Sequence, residues 1–159
     1  MSVTLLVIRH GKAQQDNYDR DQDRTLTDRG ERQARGLAGL LEEHDLAPNV
    51  IVSSPFVRAR QTAELIAGAF GLEPDFDERL SLSASGSVGG SIELLGELDR
   101  ANDDATIAIV GHQPLLERTI AVLTEGLTGF GPQVRTGECF VLQPNDTGRF
   151  AIKANLRAD

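Results

Sequence analysis

The sequence predicts an α/β fold, a three-layer α/β/α sandwich with a mostly parallel central sheet. Aliphatic runs too short for helices occur at 3–8, 50–52, 106–110 and 138–142, and we interpret them as strands. Amphipathic helical patterns separate these runs, and such alternation is typical of a parallel sheet with helices on its faces. Because no internal repeat or linker divides the 159 residues, we expect a single domain over residues 1–159.

The first two helices are predicted from their caps and apolar stripes. The first should extend from Thr27, as N-cap, to about residue 43, with an apolar stripe at helical spacing made by Ala34, Leu37, Leu40 and Leu41. The second should begin after the run at 50–52, where Ser54 can act as cap and Pro55 suits the first helical position.

The second half of the chain continues the alternation. A third helix is predicted over 91–101 and a fourth after Pro114. Residues 81–91 are rich in Ser and Gly, so we expect a mobile connector there, or alternatively one wall of a binding site. Residues 125–137 should form a loop before a terminal hairpin, in which 150–153 pairs with the run at 138–142.

Composition restricts the function classes. The net charge of −8 argues against broad binding to nucleic acid or to a membrane surface. No apolar stretch approaches the roughly 20 residues of a membrane-spanning helix, and the N-terminal residues do not resemble a signal peptide. The single cysteine, Cys139, excludes an internal disulfide and suits the reducing cytoplasm, where we expect the protein to act. An anionic substrate would therefore require a local cationic pocket.

Two strands end in the same way, with a histidine beside a glycine. His10 ends the segment "LLVIRHG", and His112 follows the run in "TIAIVGHQP". Ligands of open α/β sheets bind beyond the carboxyl ends of the strands, so neighbouring strands would bring both rings to one edge. The alternative is that each histidine is incidental. The third histidine, His44, lies near a helix end, where it can interact with the helix dipole from solvent, and we assign it no catalytic role.

One arginine of the second helix is a candidate anion ligand. Arg60 has Glu64 four residues on, which is typical of an exposed ion pair. Arg58 shares its stripe with Thr62 and should face inward, where a guanidinium needs an anion to offset its desolvation. That anion is either a structural Asp or Glu, or a ligand bound at the helix N-terminus.

Together, Arg9, His10, Arg58 and His112 would form an anion pocket with two titratable rings. Arginines clamp phosphoryl oxygens, and a neutral imidazole can attack phosphorus to give a phosphohistidine. Such a reaction requires no metal or other cofactor. With no side chain, Gly11 would let the backbone approach a phosphoryl group closely, whereas we expect Lys12 to be solvated.

Other site chemistries match the sequence poorly. Cys139 lacks the arginine six residues on that a cysteine-phosphatase loop requires. Asp19, Asp21 and Asp23 are spaced like the start of an EF-hand, but the required Gly and final Glu are replaced, so we expect a solvated acidic loop. No Gly-rich phosphate loop, HExxH motif or paired-cysteine zinc spacing occurs.

Four segments in order resemble the histidine phosphatase superfamily, also called the phosphoglycerate mutase-like fold. They are "RHG", "RTLTDRG", "SSPFVRARQTAE" and "VGHQP", and together they extend over nearly the whole chain. The small size, "RTLTDRG" and "GHQPLLE" are most similar to the SixA-type branch of phosphohistidine phosphatases.

The resemblance implies a role for each matching residue. His10 would be the nucleophile that becomes phosphorylated, Arg9 and Arg58 would hold the phosphoryl oxygens, and His112 would stabilise the transferring group. Arg24, in "RTLTDRG", matches a position that is often basic in the SixA-like branch and is a further anion ligand, unless the acidic residues Asp21, Asp23 and Asp28 pair with it instead.

The chain departs from the family at the proton donor. Many members have a Glu shortly after an "RL" pair, but "DERLSLSASG" has Leu82 there, with Glu78 upstream as a possible donor. An alkoxide leaving group needs a strong acid, whereas the imidazole leaving group of phosphohistidine can already carry a proton. We therefore expect phosphohistidine on a protein as substrate. The alternatives are a small-molecule phosphomonoesterase and a non-catalytic phosphate-binding module. The physiological partner and the oligomeric state stay open.

Overall fold

The computed structural model describes residues 2–126 and 131–159. Its single sheet has six strands, which are β1 (Thr4–Arg9), β2 (Val50–Ser53), β3 (Asp75–Phe76), β4 (Thr106–Gly111), β5 (Cys139–Pro144) and β6 (Phe150–Leu156). Across the sheet their order is β3-β2-β4-β1-β5-β6. Strands β1 to β4 run parallel, and β5 is antiparallel to both β1 and β6. The predicted mostly parallel sheet and terminal hairpin are confirmed, whereas β3, with only two exposed residues, gave no sequence signal.

Helices cover both faces of the sheet, as predicted. They are α1 (Asp28–Glu43), α2 (Val57–Ala69), α3 (Val88–Ala101) and α4 (Leu115–Glu125). Along β1, Leu6 and Ile8 pack with α1 and α2, and Leu5 and Val7 pack with α3 and α4. Because successive residues of a strand point to opposite faces, the chain forms three layers, α/β/α. None of the described helices is long and apolar enough to cross a membrane.

Two predicted helix starts need correction. The Thr27 cap of α1 is confirmed, since its hydroxyl accepts a hydrogen bond from the Gly30 backbone N–H. The Ser54 cap of α2 is wrong, because α2 begins two residues after Pro55 and its N-cap, Phe56, makes no side-chain cap. Helix α3 begins three residues earlier than predicted, because the Ser87 hydroxyl caps it.

The Ser- and Gly-rich segment 81–91 is only in part a connector. Its last four residues, 88–91, belong to α3. At its start, Ser81 is buried and its hydroxyl donates to the Glu78 backbone carbonyl at 2.8 Å. The connector is therefore limited to 82–87, and Leu82 at its start lines the pocket described below, in agreement with the alternative of a binding-site wall. Of the predicted loop 125–137, residues 131–137 form no helix or strand, and 127–130 lie outside the described residues.

The sheet register determines where the chain leaves the strands. Arg9, the last residue of β1, is paired in register with Gly111, the last residue of β4. The His10 backbone N–H then donates to the Gly111 carbonyl at 3.2 Å. The residues that follow these two central strands therefore emerge side by side, at the carboxyl edge of the sheet.

Candidate active site

The structure brings His10 and His112 together at this edge. Their ring centroids are 5.2 Å apart, although 102 residues separate them in the chain. Both rings are buried, with exposed fractions of 6% for His10 and 1% for His112. Parallel pairing of β1 with β4 makes this meeting possible, since it aligns the two strand ends.

The contacts of His10 determine which ring nitrogen carries the proton. Its Nδ1 lies 2.7 Å from the Gly11 carbonyl oxygen, which can only accept, so Nδ1 is the protonated nitrogen. The lone pair is therefore on Nε2, which accepts a long hydrogen bond of 3.3 Å from Arg58 Nε. Burial lowers the pKa of His10, and the nearby guanidinium groups lower it further, to about 3. The hydrogen bond to Gly11 opposes this shift but does not outweigh it. At neutral pH, His10 is an uncharged imidazole with a lone pair beside a cation.

His112 is held by contacts with Ser54 and Phe56. Its Nε2 lies 2.8 Å from the Ser54 hydroxyl, and Phe56 packs edge-on against its ring with centroids 5.0 Å apart. Its Nδ1 is buried and has no hydrogen-bond partner among the described residues. Burial, and then the proximity of His10 and Arg58, lowers the pKa of His112 to about 2, so this ring is also neutral.

Arg58 faces inward as expected and is 2% exposed. Besides His10, it binds Asp21 twice. Its Nη1 donates to the Asp21 backbone carbonyl at 2.8 Å, and its Nη2 donates to the carboxylate at 3.1 Å. Asp21 also accepts from Arg24 Nη1 at 3.2 Å, and Arg24 Nε donates to the Gln14 carbonyl. Asp21 is exposed, as expected for a solvated acidic loop, but it also lines the site and is the counterion of two arginines.

Arg9 is the last residue of β1 and lines the same pocket as Arg24 and Arg58. Its Nη1 donates to the Val134 carbonyl at 3.2 Å, while its buried Nε has no partner. An unsatisfied buried polar group costs about 1–3 kcal/mol, so such groups are rare in folded proteins. Arg9 Nε and His112 Nδ1 are the two such side-chain atoms among the described residues, and both belong to residues of the same pocket.

These side chains line an open cavity of about 310 Å³. Its wall contains four cations, Arg9, Lys12, Arg24 and Arg58, and Asp21 is the one carboxylate among its described lining residues. The expectation that Lys12 is only solvated needs correction, because Lys12 is half-buried and forms part of this wall. The pocket is therefore a local concentration of positive charge in a chain of net charge −8, as binding of an anion to this chain would require.

Gly11 has a different role from the predicted one and does not line the cavity. A Cβ atom at Gly11 would lie 2.6 Å from the backbone oxygen and 3.0 Å from the Cα of Gly30, at the start of α1. Its N–H donates to the Thr62 hydroxyl at 3.0 Å. Gly11 therefore permits close packing of the loop after β1 against α1, which holds His10 in place.

Four further residues were considered from the sequence, namely Leu82, Glu78, His44 and Cys139, and of these four Leu82 alone lines the pocket. Leu82 lines it and is 44% exposed. Glu78 does not, since its carboxylate accepts hydrogen bonds from the hydroxyls of Ser81 and Ser83 outside the cavity wall. His44 is the C-cap of α1, where its Nδ1 lies 2.8 Å from the Leu40 carbonyl. Cys139 is fully buried, and burial raises the pKa of its thiol, so it is not a nucleophile.

Sequence reasoning missed Ser54 and Asp21 as site residues. Locally, the Ser54–Pro55 pair has the pattern of a helix start, and the acidic run around Asp21 has the pattern of a solvated loop. In the residues that the structure describes, no group of three or more His, Cys, Asp or Glu side chains is arranged to hold a metal ion. The donors present fit an oxyanion, because guanidinium and imidazole N–H groups donate hydrogen bonds to anionic oxygens.

The fold and the pocket define a class of α/β proteins in which paired histidines and arginines line a cationic pocket at the carboxyl edge of a mostly parallel sheet. The family description that matches the chain is the histidine phosphatase superfamily (branch 1), over residues 5–91. The chain belongs to this superfamily, and the resemblance stated from its motifs is confirmed.

Similar proteins support the SixA-type branch. The chain is 37% identical to an uncharacterised protein of Picosynechococcus sp. over 129 residues, which is 80% of this chain and 76% of that protein. It is 29% identical to phosphohistidine phosphatase SixA of Escherichia coli over 79% of this chain and 77% of the relative. A solved structure of the protein histidine phosphatase SixA with tungstate superposes with a TM-score of 0.84 at 24% identity, and the match covers 98% and 97% of the two chains. This last likeness shows that the fold is shared.

Proposed function

We propose that this chain is a metal-independent phosphatase that forms a phosphohistidine on His10 and acts on phosphohistidine of a protein substrate. The observation that carries the proposal is the state of His10. Its Nδ1 proton is bound to the Gly11 carbonyl, so Nε2 presents a lone pair beside Arg58 in a cationic pocket. A neutral nucleophile next to groups that bind phosphoryl oxygens is the arrangement that covalent phosphoryl transfer needs.

In the first step, the His10 Nε2 lone pair forms a bond to phosphorus while the bond from phosphorus to the substrate nitrogen breaks. The substrate ring enters with a proton on its other nitrogen, and the electron pair of the broken bond stays on the departing nitrogen, so the leaving group is a neutral imidazole that needs no further proton. Arg58, Arg9 and His112 stabilise the charge on the three transferring oxygens. Arg9 Nε and His112 Nδ1, the two buried side-chain nitrogens without a partner among the described residues, would each donate a hydrogen bond to a phosphoryl oxygen.

In the second step, water attacks the phosphohistidine. An oxygen of water forms a bond to phosphorus, the bond to His10 Nε2 breaks, and its electron pair returns to Nε2. The protons of water go to the released phosphate and to solvent. The open cavity of about 310 Å³ admits this water.

The charge of the pocket supports a reaction without metal. Four cationic side chains face one carboxylate, so the wall carries an excess of three positive charges against a phosphoryl dianion. Guanidinium groups can neutralise developing charge on phosphoryl oxygens as a divalent ion does. Added metal is therefore not needed for charge balance.

The substrate class follows from the lack of a proton donor. Asp21 is the one described carboxylate of the wall. Its partial burial alone would raise its pKa, but hydrogen bonds from Arg24 and Arg58 outweigh burial and hold the pKa below the ordinary value. An ionised Asp21 cannot protonate a leaving alkoxide, and Leu82 cannot donate a proton at all. This favours a nitrogen leaving group, and the similarity to SixA supports the same choice.

Trapping tests the intermediate. We expect brief exposure to radiolabelled phosphoramidate to leave an acid-labile, base-stable label on His10, mapped by mass spectrometry. The His10→Ala variant should not be labelled, whereas Cys139→Ala should be labelled like the wild type. Label on another residue would contradict the mechanism.

Substrate comparison tests the class. A phosphohistidine-bearing protein should be turned over with a higher kcat/KM than a panel of phosphomonoesters. Higher turnover of the esters would favour the small-molecule phosphomonoesterase. If no substrate is hydrolysed while orthophosphate binds, the chain is a binding module. Activity lost on adding chelator and restored by a metal would contradict metal independence.

A further inference from the structure

We infer that Ser54 is a positioning residue, whose hydroxyl holds His112 in the tautomer that presents a protonated Nδ1 to the phosphoryl pocket. The catalytic part of this inference rests on the proposed function. The structural part, the proton position on His112, can be tested without any substrate.

The hydrogen bonds of Ser54 determine the direction of its bond to His112. Ser54 is fully buried, so its hydroxyl has no access to bulk water. Its oxygen accepts from the Phe56 backbone N–H at 3.2 Å and lies 2.8 Å from His112 Nε2. Among the described residues, His112 Nε2 is the one acceptor within reach of the hydroxyl proton. Because a buried O–H without an acceptor is costly, the hydroxyl donates to Nε2.

The tautomer of His112 follows from this direction. A neutral imidazole has one N–H and one acceptor nitrogen. Burial keeps His112 neutral, since it lowers the pKa of the ring to about 2. With Nε2 accepting from Ser54, the proton lies on Nδ1, the nitrogen that is buried without a partner. His112 therefore has an unused N–H donor and lines the pocket beside His10.

The backbone fixes Ser54 in the position that this requires. Ser54 follows β2, and its N–H donates to the Val110 carbonyl at 2.9 Å, so it is attached to β4 just before His112. Phe56 packs against the other side of the imidazole, with the ring planes inclined by 64°. This explains why Ser54 does not cap α2, since its hydroxyl is committed to His112 and to the residue before the helix.

The chain offers a matched control in the adjacent serine. Ser53 is also fully buried, but its hydroxyl donates to the Ser54 carbonyl at 2.8 Å and does not contact a histidine. Ser53→Ala therefore removes a buried hydroxyl of the same strand end and leaves the His112 contact intact. Ser54→Thr keeps a hydroxyl at the position, whereas Ser54→Ala removes it.

The first test is nitrogen-15 NMR of the full-length free protein at neutral pH. The chain has three histidines, and His44→Gln identifies the exposed one. In the wild type we expect a protonated Nδ1 and an unprotonated Nε2 on His112, and in Ser54→Ala a mixture of tautomers. An Nε2-protonated His112 in the wild type would overturn the inference, whatever the protein hydrolyses.

The second test is kinetic. Ser54→Ala should lower kcat by about 10- to 100-fold, as loss of a group that orients a catalytic imidazole does, with a smaller change in KM. Ser54→Thr should recover most of this loss, and Ser53→Ala should stay close to wild type.

If Ser54→Ala fails to fold, the tautomer of His112 in the wild type and in Ser54→Thr still decides the matter. Equal losses in Ser53→Ala and Ser54→Ala would show a merely structural role. Absence of wild-type hydrolysis would instead refute the proposed function and leave the tautomer result standing.

Discussion

Arg58 and Asp21 form an ion pair of 3.1 Å in which the arginine side chain is 3% exposed and the carboxylate 51% exposed. A buried guanidinium needs a counter-charge, and Asp21 supplies it from the solvent side of the pocket. The same carboxylate pairs with Arg24. A phosphoryl dianion entering the pocket therefore competes with Asp21 for two arginines.

Neutralising Asp21 should strengthen anion binding. We expect Asp21→Asn to bind orthophosphate about three- to tenfold more tightly, because a charge within several ångströms in a surface pocket contributes about 1 kcal/mol of repulsion. Turnover should fall, since Arg58 loses a charged contact that orients it. Calorimetric titration with orthophosphate measures the first effect. Asp19→Asn, an exposed acid of the same segment outside the cavity wall, is the control. Weaker phosphate binding in Asp21→Asn would show that orienting Arg58 outweighs repulsion.

Loss of the Arg58 guanidinium should affect the transition state strongly. We expect Arg58→Ala to lower kcat/KM by about 10²- to 10³-fold, or roughly 3–4 kcal/mol, the usual cost of removing one preorganised donor. Arg60→Ala is the matched control. Arg60 lies on the same helix, is exposed and pairs with Glu64 at 3.4 Å, so its loss should change the rate by less than about twofold. Similar rates for Arg58→Ala and the wild type would remove Arg58 from the mechanism.

A carboxyl at position 82 should change substrate preference. Leu82 lines the pocket, so Leu82→Glu would add a proton donor near the leaving group. We expect kcat/KM for a phosphomonoester to rise by at least about tenfold, part of the ~10²–10⁴-fold that a positioned general acid contributes. Turnover of phosphohistidine should change little. Leu82→Gln, of the same size without the proton, should not gain ester activity. An equal gain in Leu82→Gln would point to polarity instead of acid catalysis.

The buried histidines should make stability depend on pH. Their pKa values are about 3 and about 2 in the folded chain, against 6.5 for an ordinary histidine. Below pH 6.5 the unfolded chain binds more protons, so the free energy of unfolding should fall as pH falls, by about 1.4 kcal/mol per unit for each ring. Urea unfolding between pH 7 and pH 4 measures this slope. In His112→Gln the slope should be smaller by the contribution of one histidine, about 1.4 kcal/mol per pH unit. An unchanged slope would mean that His112 is already charged in the folded chain.

Gly11 should be required for packing. We expect Gly11→Ala to lower the free energy of unfolding by about 2–3 kcal/mol, because the new Cβ would overlap the backbone of Gly30. Gly39→Ala provides the contrast, since nothing lies within 4 Å of a Cβ there and it is within α1. That variant should be more stable by about 0.5–1 kcal/mol. Chemical denaturation of both variants measures the difference. A stable Gly11→Ala with impaired phosphate binding would instead support the predicted backbone approach to the ligand.

The order of strands and helices could be predicted because it follows from the local spacing of apolar residues. The continuous apolar run of β1 and the stripe from Ala34 to Leu41 can be identified without information about distant residues. The same holds for His10 and His112, since a polar residue that ends an aliphatic run can be identified in one segment. The proximity of the two rings can be inferred from sequence only by assuming a topology. In the structure, the parallel pairing of β1 with β4 brings the rings together.

The local rule for helix caps fails at Ser54 and holds at Ser87. Ser54 satisfies the cap rule for α2, yet its hydroxyl is committed to His112. Ser87 does cap α3, although the glycines that follow it, Gly89 and Gly90, made a later start more favourable on propensity alone. The two serines differ in their partners, since Ser54 contacts His112, which follows β4, whereas Ser87 accepts from the Gly90 N–H of its own helix.

The sequence by itself determined the layers of this protein, the strand ends that carry its two histidines, and the family to which its motifs belong. Only the tertiary structure decided that Asp21 is the counterion of Arg58, that Lys12 lies in the pocket wall, and that Gly11 packs against Gly30. Asp21 and Arg58 are 37 residues apart, and Ser54 and His112 are 58 apart. Such pairs follow no period along the chain, because they are set by where the strands and loops meet once the sheet has formed.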